Sequence, residues 1–340
     1  METKRQFTDN LILAAKIGIG SSAAIYIAEF FNLEYTASAG TIALLTLMTS
    51  KWETVKLALF RLITFEFAIL IAGVLFPHIE SVWVGYGLFV FCIVILSASL
   101  GWKATISVNA VVGLHLITSH DFSTTSILNE MYLVLIGITM AIILNLFHDN
   151  YGRKKDLILN MRYTEERLQT ILRELIMYLR NQEMSQNVWE DICCLETKLQ
   201  DFIAEAYVYQ DNTFHSHPGY YIDYFEMRMN QTHVLHNLHY EMKKIKNIPK
   251  QAHVIADYMT YLVDYVVEIN EPVLQMSELN KIFDHMKTEP LPVTREEFES
   301  RALLYHILMD IEEFLVFKMR FVHGMTERQV KEYWKNKEAK

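Results

Sequence analysis

Four polar side chains interrupt apolar runs in the first half of the chain, and they are the residues best placed to do chemistry. Lys16, Arg61, Glu66 and Asn109 each lie inside such a run. Charge in hydrocarbon is costly and is kept where it has a partner or faces a cavity. Lys16 or Arg61 would suit an anion site, and Glu66 would suit proton binding. The structural alternative is that Arg61 reaches the membrane surface and Glu66 pairs with Lys16.

These four residues lie in the first half of the chain, which contains six apolar runs. The helices that these runs form must position them. A helix that crosses a bilayer needs about 20 residues. The second and fifth runs are short. They are either spans that are tilted or shielded by neighbouring helices, or re-entrant elements, which would leave four spans. We favour six spans. The runs are Leu11–Phe31, Tyr35–Thr49, Leu57–Phe76, Val82–Leu100, Ala104–Thr118 and Met131–His148.

Basic residues at the ends of these runs predict the orientation. They occur before the first run, between the second and third, between the fourth and fifth, and after the sixth. The alternate connections contain no Lys or Arg, and short loops rich in these residues stay in the cytoplasm. We therefore predict a multi-pass plasma-membrane protein with both termini cytoplasmic. The residues are Lys4, Arg5, Lys51, Lys56, Lys103, Arg153, Lys154 and Lys155.

The second half of the chain has a different composition. Only seven of the 31 Lys and Arg residues precede residue 151, which leaves 24 in the second half, with 30 of the 40 Asp and Glu residues. Charges at helical spacing predict a soluble helical domain. The expected fold class is all-α: a six-helix transmembrane bundle at 1–150, followed by a cytoplasmic helical bundle at 151–340.

Several classes of function are disfavoured by the same inventory. A net charge of −9 without a basic stripe argues against nucleic-acid binding. The sequence has no phosphate-binding loop and no nucleophile–base pair in a recognisable motif. His233, His236 and His239 lie three residues apart, unlike the i, i+4 pairs of helical zinc sites. We predict no enzyme activity, no cofactor and no metal site.

One polar pair is predicted in the second half. Arg228 and Gln231 interrupt an apolar stripe on a helix at about 220–246, and a buried Arg requires a partner. Glu312 is the single charge in the stripe of the last long helix, so we expect Arg228 to face Glu312, within the domain or across a dimer interface. A structural ion pair is favoured over a carboxylate-binding pocket. The stripes are 221, 224, 228, 231, 235, 238, 242 and 245, and 302, 305, 308, 312, 315, 319 and 322.

Three segments resemble the aromatic acid exporter family in its Firmicute form, within the fusaric acid resistance superfamily. They are Tyr35-Thr-Ala-Ser-Ala-Gly-Thr-Ile42, Thr49-Ser-Lys-Trp-Glu-Thr-Val-Lys56 with Arg61, and Tyr220-Tyr-Ile-Asp-Tyr-Phe-Glu-Met-Arg-Met-Asn-Gln231.

The resemblance covers nearly the whole chain and implies export of small organic acids. Lys16, Arg61, Glu66 and Asn109 then become candidates for substrate binding or ion coupling. Longer members carry two membrane halves in one chain, which implies a homodimer here. The expected partners are the lipid bilayer, a small organic anion and a second copy. The alternative is a membrane-anchored sensor or scaffold whose cytoplasmic domain binds a ligand or partner.

Overall fold

The computed structural model describes residues 2–146, 151–181, 187–213, 219–245 and 248–335, and within these ranges the chain is helical without strands. The side chains of residues 2–6, 8, 9 and 151 are not described. The chain divides into two compact units. The first comprises Met1–Asp149 and Asp211–Phe214, and the second comprises Asn150–Gln210 and His215–Lys340.

Each apolar run of the sequence forms a helix in the first unit. Four helical stretches are long and apolar enough to cross a membrane: Asn10–Phe30, Lys51–His78, Val82–Ser99 and Thr124–Leu146. The second and fifth helices have 11 and 14 residues, so the count of six spans stays a prediction. The helices are α1 (Glu2–Phe30), α2 (Ala37–Leu47), α3 (Lys51–Leu75), α4 (Val82–Ser99), α5 (Ile106–Ser119) and α6 (Thr124–Leu146).

The short helix α2 lies against α1 and α6. Two glycines permit this close approach. A Cβ on Gly40 would come 2.7 Å from Cγ1 of Ile25 on α1, and one on Gly137 of α6 would come 2.6 Å from Cγ2 of Ile42 on α2. Small residues let helix backbones approach closely where no hydrophobic force drives helices together. The position of α2 is therefore fixed by contacts on both sides.

The second unit is a helical bundle built around α9. All eight positions of the predicted α9 stripe are buried, from Tyr221 to Ile245, which confirms that prediction. Thr326 and Gln329 form the capping box at the start of the last helical segment. The elements are α7 (Tyr151–Leu179), α8 (Val188–Asp211), α9 (Gly219–Met242), α10 (Gln251–Val263), α11 (Val273–Thr288), α12 (Arg295–Gly324) and α13 (Glu327–Gln329), followed by a π-helical turn at Val330–Lys335.

The stripe predicted for α12 is only partly buried: Leu308 and Leu315 are buried, but the better-buried line of residues lies one position earlier. Tyr305 of that stripe is exposed and Glu312 is half-buried. A one-residue offset turns the buried face by about 100°. The earlier line is buried along its whole length and contains one charge, Lys318. It consists of Leu304, Ile307, Ile311, Phe314, Lys318 and Phe321.

Candidate functional site

Arg61 on α3 is buried against the C-terminal end of α2, with 1% of its surface exposed. Its Nη1 donates to the Thr46 hydroxyl, and its Nη2 lies 3.4 Å from the carbonyl oxygen of Leu45. The Nε atom is buried and has no hydrogen-bond partner in the described part of the chain. The guanidinium is thus held by neutral groups and keeps one donor free.

Lys16 is half-buried on α1 and belongs to the same polar cluster. Its Nζ donates to the side-chain oxygen of Asn145 on α6, so the pair predicted with Glu66 is not formed within the chain. Asn145 in turn donates to the Thr54 hydroxyl at 2.5 Å. The Thr49 hydroxyl lies 3.0 Å from the Thr54 hydroxyl and donates to the Thr46 carbonyl at 2.8 Å. We call the following set the basic cluster: Lys16, Thr46, Thr49, Thr54, Arg61 and Asn145.

The electrostatics of the basic cluster favour an anion. Among the described residues, neither Lys16 nor Arg61 forms an ion pair with a carboxylate. Lys51 at the start of α3 adds a third positive charge close enough to interact with Lys16. A buried cation whose partners are all neutral is energetically costly, and an anion that binds there would relieve this cost.

The other two predicted site residues lie elsewhere. The Glu66 side chain is exposed on the surface of α3 and faces away from the basic cluster's buried interior. Asn109 on α5 is fully buried, and neither its Oδ1 nor its Nδ2 has a hydrogen-bond partner within the described ranges. The structure therefore brings Lys16 and Arg61 into one cluster and leaves Glu66 and Asn109 outside its hydrogen bonds.

A second polar site lies at the N-terminal end of α2, and the sequence reasoning missed it. Nδ1 of His115 on α5 lies 2.9 Å from Oε2 of Glu130 on α6, and its Nε2 lies 3.0 Å from Oγ of Ser38. Glu130 is 2% exposed. Glu130 precedes the sixth apolar run of the sequence, whereas its helix begins earlier, at Thr124. The available signal was a histidine inside the fifth run. We call Ser38, His115 and Glu130 the His115 site.

A loop between α1 and α2 covers the His115 site. The Tyr35 ring stacks on the His115 ring, with ring centres 4.2 Å apart and planes 8° from parallel. Tyr35 has a positive φ of 56°, which is uncommon for a residue other than glycine. Asn129 holds the loop by accepting a hydrogen bond from the Glu34 amide at 2.8 Å and donating one to the Glu34 carbonyl at 3.2 Å.

Arg228 in the second unit is buried and each of its three guanidinium nitrogens is hydrogen-bonded. The guanidinium contacts Oε1 of Glu165 at 3.2 Å, the Tyr224 hydroxyl at 3.1 Å and Oε1 of Gln231 at 2.9 Å. The partner predicted within the chain, Glu312, is wrong: the carboxylate comes from Glu165 on α7. The error follows from the register of α12, which leaves Glu312 outside the buried face.

Every nitrogen of the Arg228 guanidinium has a hydrogen-bond partner, and one of the partners is a carboxylate. Gln231 in turn donates to the Phe314 carbonyl at 2.8 Å, which fixes α9 against α12. Burial lowers the pKa of Arg228, but Tyr224 and Glu165 outweigh this effect and raise its pKa overall. These bonds support the interpretation of Arg228 as part of a structural ion pair, which stays a prediction.

Lys318 is a further buried cation beside this network. Its Nζ donates to the carbonyls of Val267 and Glu268, at 3.2 and 2.6 Å. Burial, followed by the charge of Arg228, lowers the Lys318 pKa well below the usual lysine value. Glu268 also accepts a hydrogen bond from the Tyr220 hydroxyl at 2.7 Å. The network thus connects α9 and α12 to the segment that follows α10.

Comparison with known proteins covers both units. Residues 13–148 match the family model described as aromatic acid exporter family member 1, and residues 154–319 match one described as "Putative aromatic acid exporter C-terminal domain". The uncharacterized protein YqjA of Bacillus subtilis (strain 168) is 28% identical over 316 residues, which cover 90% of this chain and 94% of YqjA.

A solved structure also matches part of the chain. It is a crystal structure of a "putative membrane protein" from Clostridium difficile 630, with 24% identity and a TM-score of 0.44, and the match covers 49% of this chain and 99% of that one. The two family models together span nearly the whole sequence and describe membrane transporters, not enzymes. With its apolar spanning helices, this chain is a membrane protein that belongs to the aromatic acid exporter family.

Proposed function

We propose that this protein is a secondary transporter that exports small organic acids, aromatic carboxylates among them, across the plasma membrane. Membership of an exporter family supports transport as the activity. The observation that carries the choice of an anionic substrate is Arg61, which is 1% exposed and bonded to neutral groups in the described residues. A substrate carboxylate would supply the missing negative charge.

The roles of the other residues follow from their positions. The free Nε of Arg61 would donate to the carboxylate, and Lys16, held by Asn145, would add attraction. Asn109, with both polar atoms unsatisfied, has the capacity to hydrogen-bond a polar group of a substrate or water. The sequence contains no phosphate-binding loop, so an ion gradient is the proposed energy source.

We further propose that two copies form the working unit, with six spans per copy and both termini cytoplasmic. Glu66 lies within a candidate span and is exposed on the surface of the single chain. A carboxylate in contact with lipid costs about 2.5–3.5 kcal/mol near the bilayer centre. Contact with a second copy would remove Glu66 from the lipid. Native mass spectrometry and photobleaching in nanodiscs test this, and a monomer in both would contradict it.

The transport proposal is tested with the full chain in proteoliposomes. Efflux of labelled benzoate, salicylate and cinnamate is compared between wild type, Arg61→Gln, Glu66→Gln and empty vesicles. Lys103→Gln is the control, because Lys103 is an exposed basic residue of the same unit. We expect Arg61→Gln to lose at least about tenfold in rate while Lys103→Gln keeps the wild-type rate. Wild-type efflux equal to that of empty vesicles across this panel would contradict the proposal.

A further inference from the structure

We propose that the His115 site is the proton-binding site of this transporter, and that α2 links it to the substrate arginine. This inference rests on the proposed transport function. The first observation is burial: Glu130 is 2% exposed, and the only cationic partner available to it in the described residues is the half-buried imidazole of His115. The pair carries one negative charge without an added proton and none with it. Binding of one proton therefore changes the net charge of a buried site.

The hydrogen bonds of the His115 site are compatible with both protonation states of the imidazole. With neutral His115, Nδ1–H donates to Glu130 and Nε2 accepts a bond from the Ser38 hydroxyl. With protonated His115, both ring nitrogens donate, and the Ser38 oxygen accepts at the same 3.0 Å separation. A hydroxyl is both donor and acceptor, so neither state leaves a buried nitrogen unpaired.

Access to the site is limited by the loop that precedes α2. The Tyr35 ring lies flat against the His115 ring, and Asn129 clamps the loop through the backbone of Glu34. The left-handed φ of Tyr35 is a backbone conformation that most side chains disfavour. Displacement of the Tyr35 ring would open the imidazole to water at this end of α2, and its return would close it.

The helix α2 connects the two sites. Ser38 lies in the first turn of α2 and Thr46 in its last turn, so the two are about 12 Å apart along the axis. Ser38 contacts His115, and Thr46 holds Arg61. The close packing at Gly40 and Gly137 leaves α2 little freedom to bend, so a shift at one end is carried to the other. Protonation of the pair would thereby alter the hold of Thr46 on the substrate arginine.

Other titratable groups around the site leave the pair as its main proton acceptor. Tyr35 contributes its ring face, and Glu34 contributes its backbone. Lys16 of α1 and Arg61 of α3 are bonded within the basic cluster, and no described bond joins either of them to His115 or Glu130. Tyr86 of α4 donates to the Ala110 carbonyl on α5 at 3.4 Å. The exposed titratable groups include Glu29, Glu66 and Lys103, with His120 at the end of α5.

The experiment separates coupling from transport. In proteoliposomes, labelled benzoate is followed in two assays: exchange at equal pH on both sides, and accumulation driven by a pH gradient. Glu130→Gln keeps the size of the side chain and an oxygen that can accept from His115, but it can neither bind nor release a proton. We expect this variant to keep exchange within about twofold of wild type and to lose at least about tenfold in gradient-driven accumulation. We expect His115→Gln to show the same two changes as Glu130→Gln. The matched control is Glu29→Gln, because Glu29 is an exposed carboxylate in α1.

Each outcome has a distinct meaning. Full accumulation by folded Glu130→Gln would overturn the proton site while leaving transport intact. If wild type shows neither exchange nor accumulation, the proposed transport fails, and proton binding is then judged by infrared difference spectra of the full chain between low and neutral pH. A carboxyl or imidazole band that is lost in both Glu130→Gln and His115→Gln, but kept in Glu29→Gln, would still support a proton site there. A spectrum unchanged in both variants would overturn it.

Discussion

Two arginines, one in each unit, are equally buried, but only one of them is paired with a carboxylate. Arg61 and Arg228 each have 1% of their surface exposed. Arg228 meets the carboxylate of Glu165, whereas the described partners of Arg61 are a hydroxyl and a carbonyl. Breaking a buried ion pair strands the remaining charge. Removal of a buried cation that has no such partner leaves no carboxylate unpaired. The charge of that cation is available to a ligand.

The largest expected effect is that of Arg228→Leu on folding. The substitution leaves Glu165 without its cation, and we expect unfolding of the full chain in detergent to become easier by about 3–5 kcal/mol. Adding Glu165→Leu should recover most of the loss, because both charges are then absent. Denaturant unfolding measures all three proteins. Equal recovery when Arg228→Leu is combined with Glu312→Leu would contradict the assignment of Glu165 as the partner.

Arg61→Leu should show the opposite pattern. We expect the stability of the chain to stay within about 1 kcal/mol of wild type or to rise, since no carboxylate is stranded. Efflux of labelled benzoate should fall at least about tenfold. The same unfolding and proteoliposome assays measure the two quantities. If Arg61→Leu destabilised the chain as much as Arg228→Leu, the contrast between the two arginines would be lost.

Lys318 is a third buried basic residue, and it is held by backbone carbonyls rather than by a carboxylate. Its pKa in the folded chain lies well below the lysine value of 10.5, with burial as the main cause. Between those two pKa values the unfolded chain binds more protons than the folded chain, so stability rises with pH across that window. Lys318→Met should flatten this rise. Unfolding free energies of both proteins at several pH values test this, and parallel curves would contradict it.

The smallest expected effects concern the helix caps of the two units. Ser50 caps α3 and Thr326 caps the last helical segment, each in a capping box. Removing either hydroxyl with Ala should cost about 1 kcal/mol, because it leaves a backbone amide unpaired. Thr326→Ser, which keeps the hydroxyl, is the control. A loss as large for Thr326→Ser as for Thr326→Ala would show that the methyl group, rather than the cap, carries the effect.

The sequence by itself determined the features that depend on local periodicity. The six apolar runs and the buried stripe of α9 follow from neighbours within about seven residues along the chain. Family membership followed from contiguous motifs and is confirmed by the two models. Arg61 stood out as a charge within an apolar run, because its cost in hydrocarbon does not depend on which helix lies beside it.

Only the tertiary structure decided which polar groups meet. The buried face of α12 is wide enough that two stripes one residue apart fit the sequence, and packing on α9 chose the one with Lys318. The His115–Glu130 pair joins α5 to α6, and the Asn145 contact of Lys16 joins α1 to α6. Such partners depend on helix position and rotation, which sequence spacing within one helix does not specify. For the same reason, the exposure of Glu66 could not be read from its place within an apolar run.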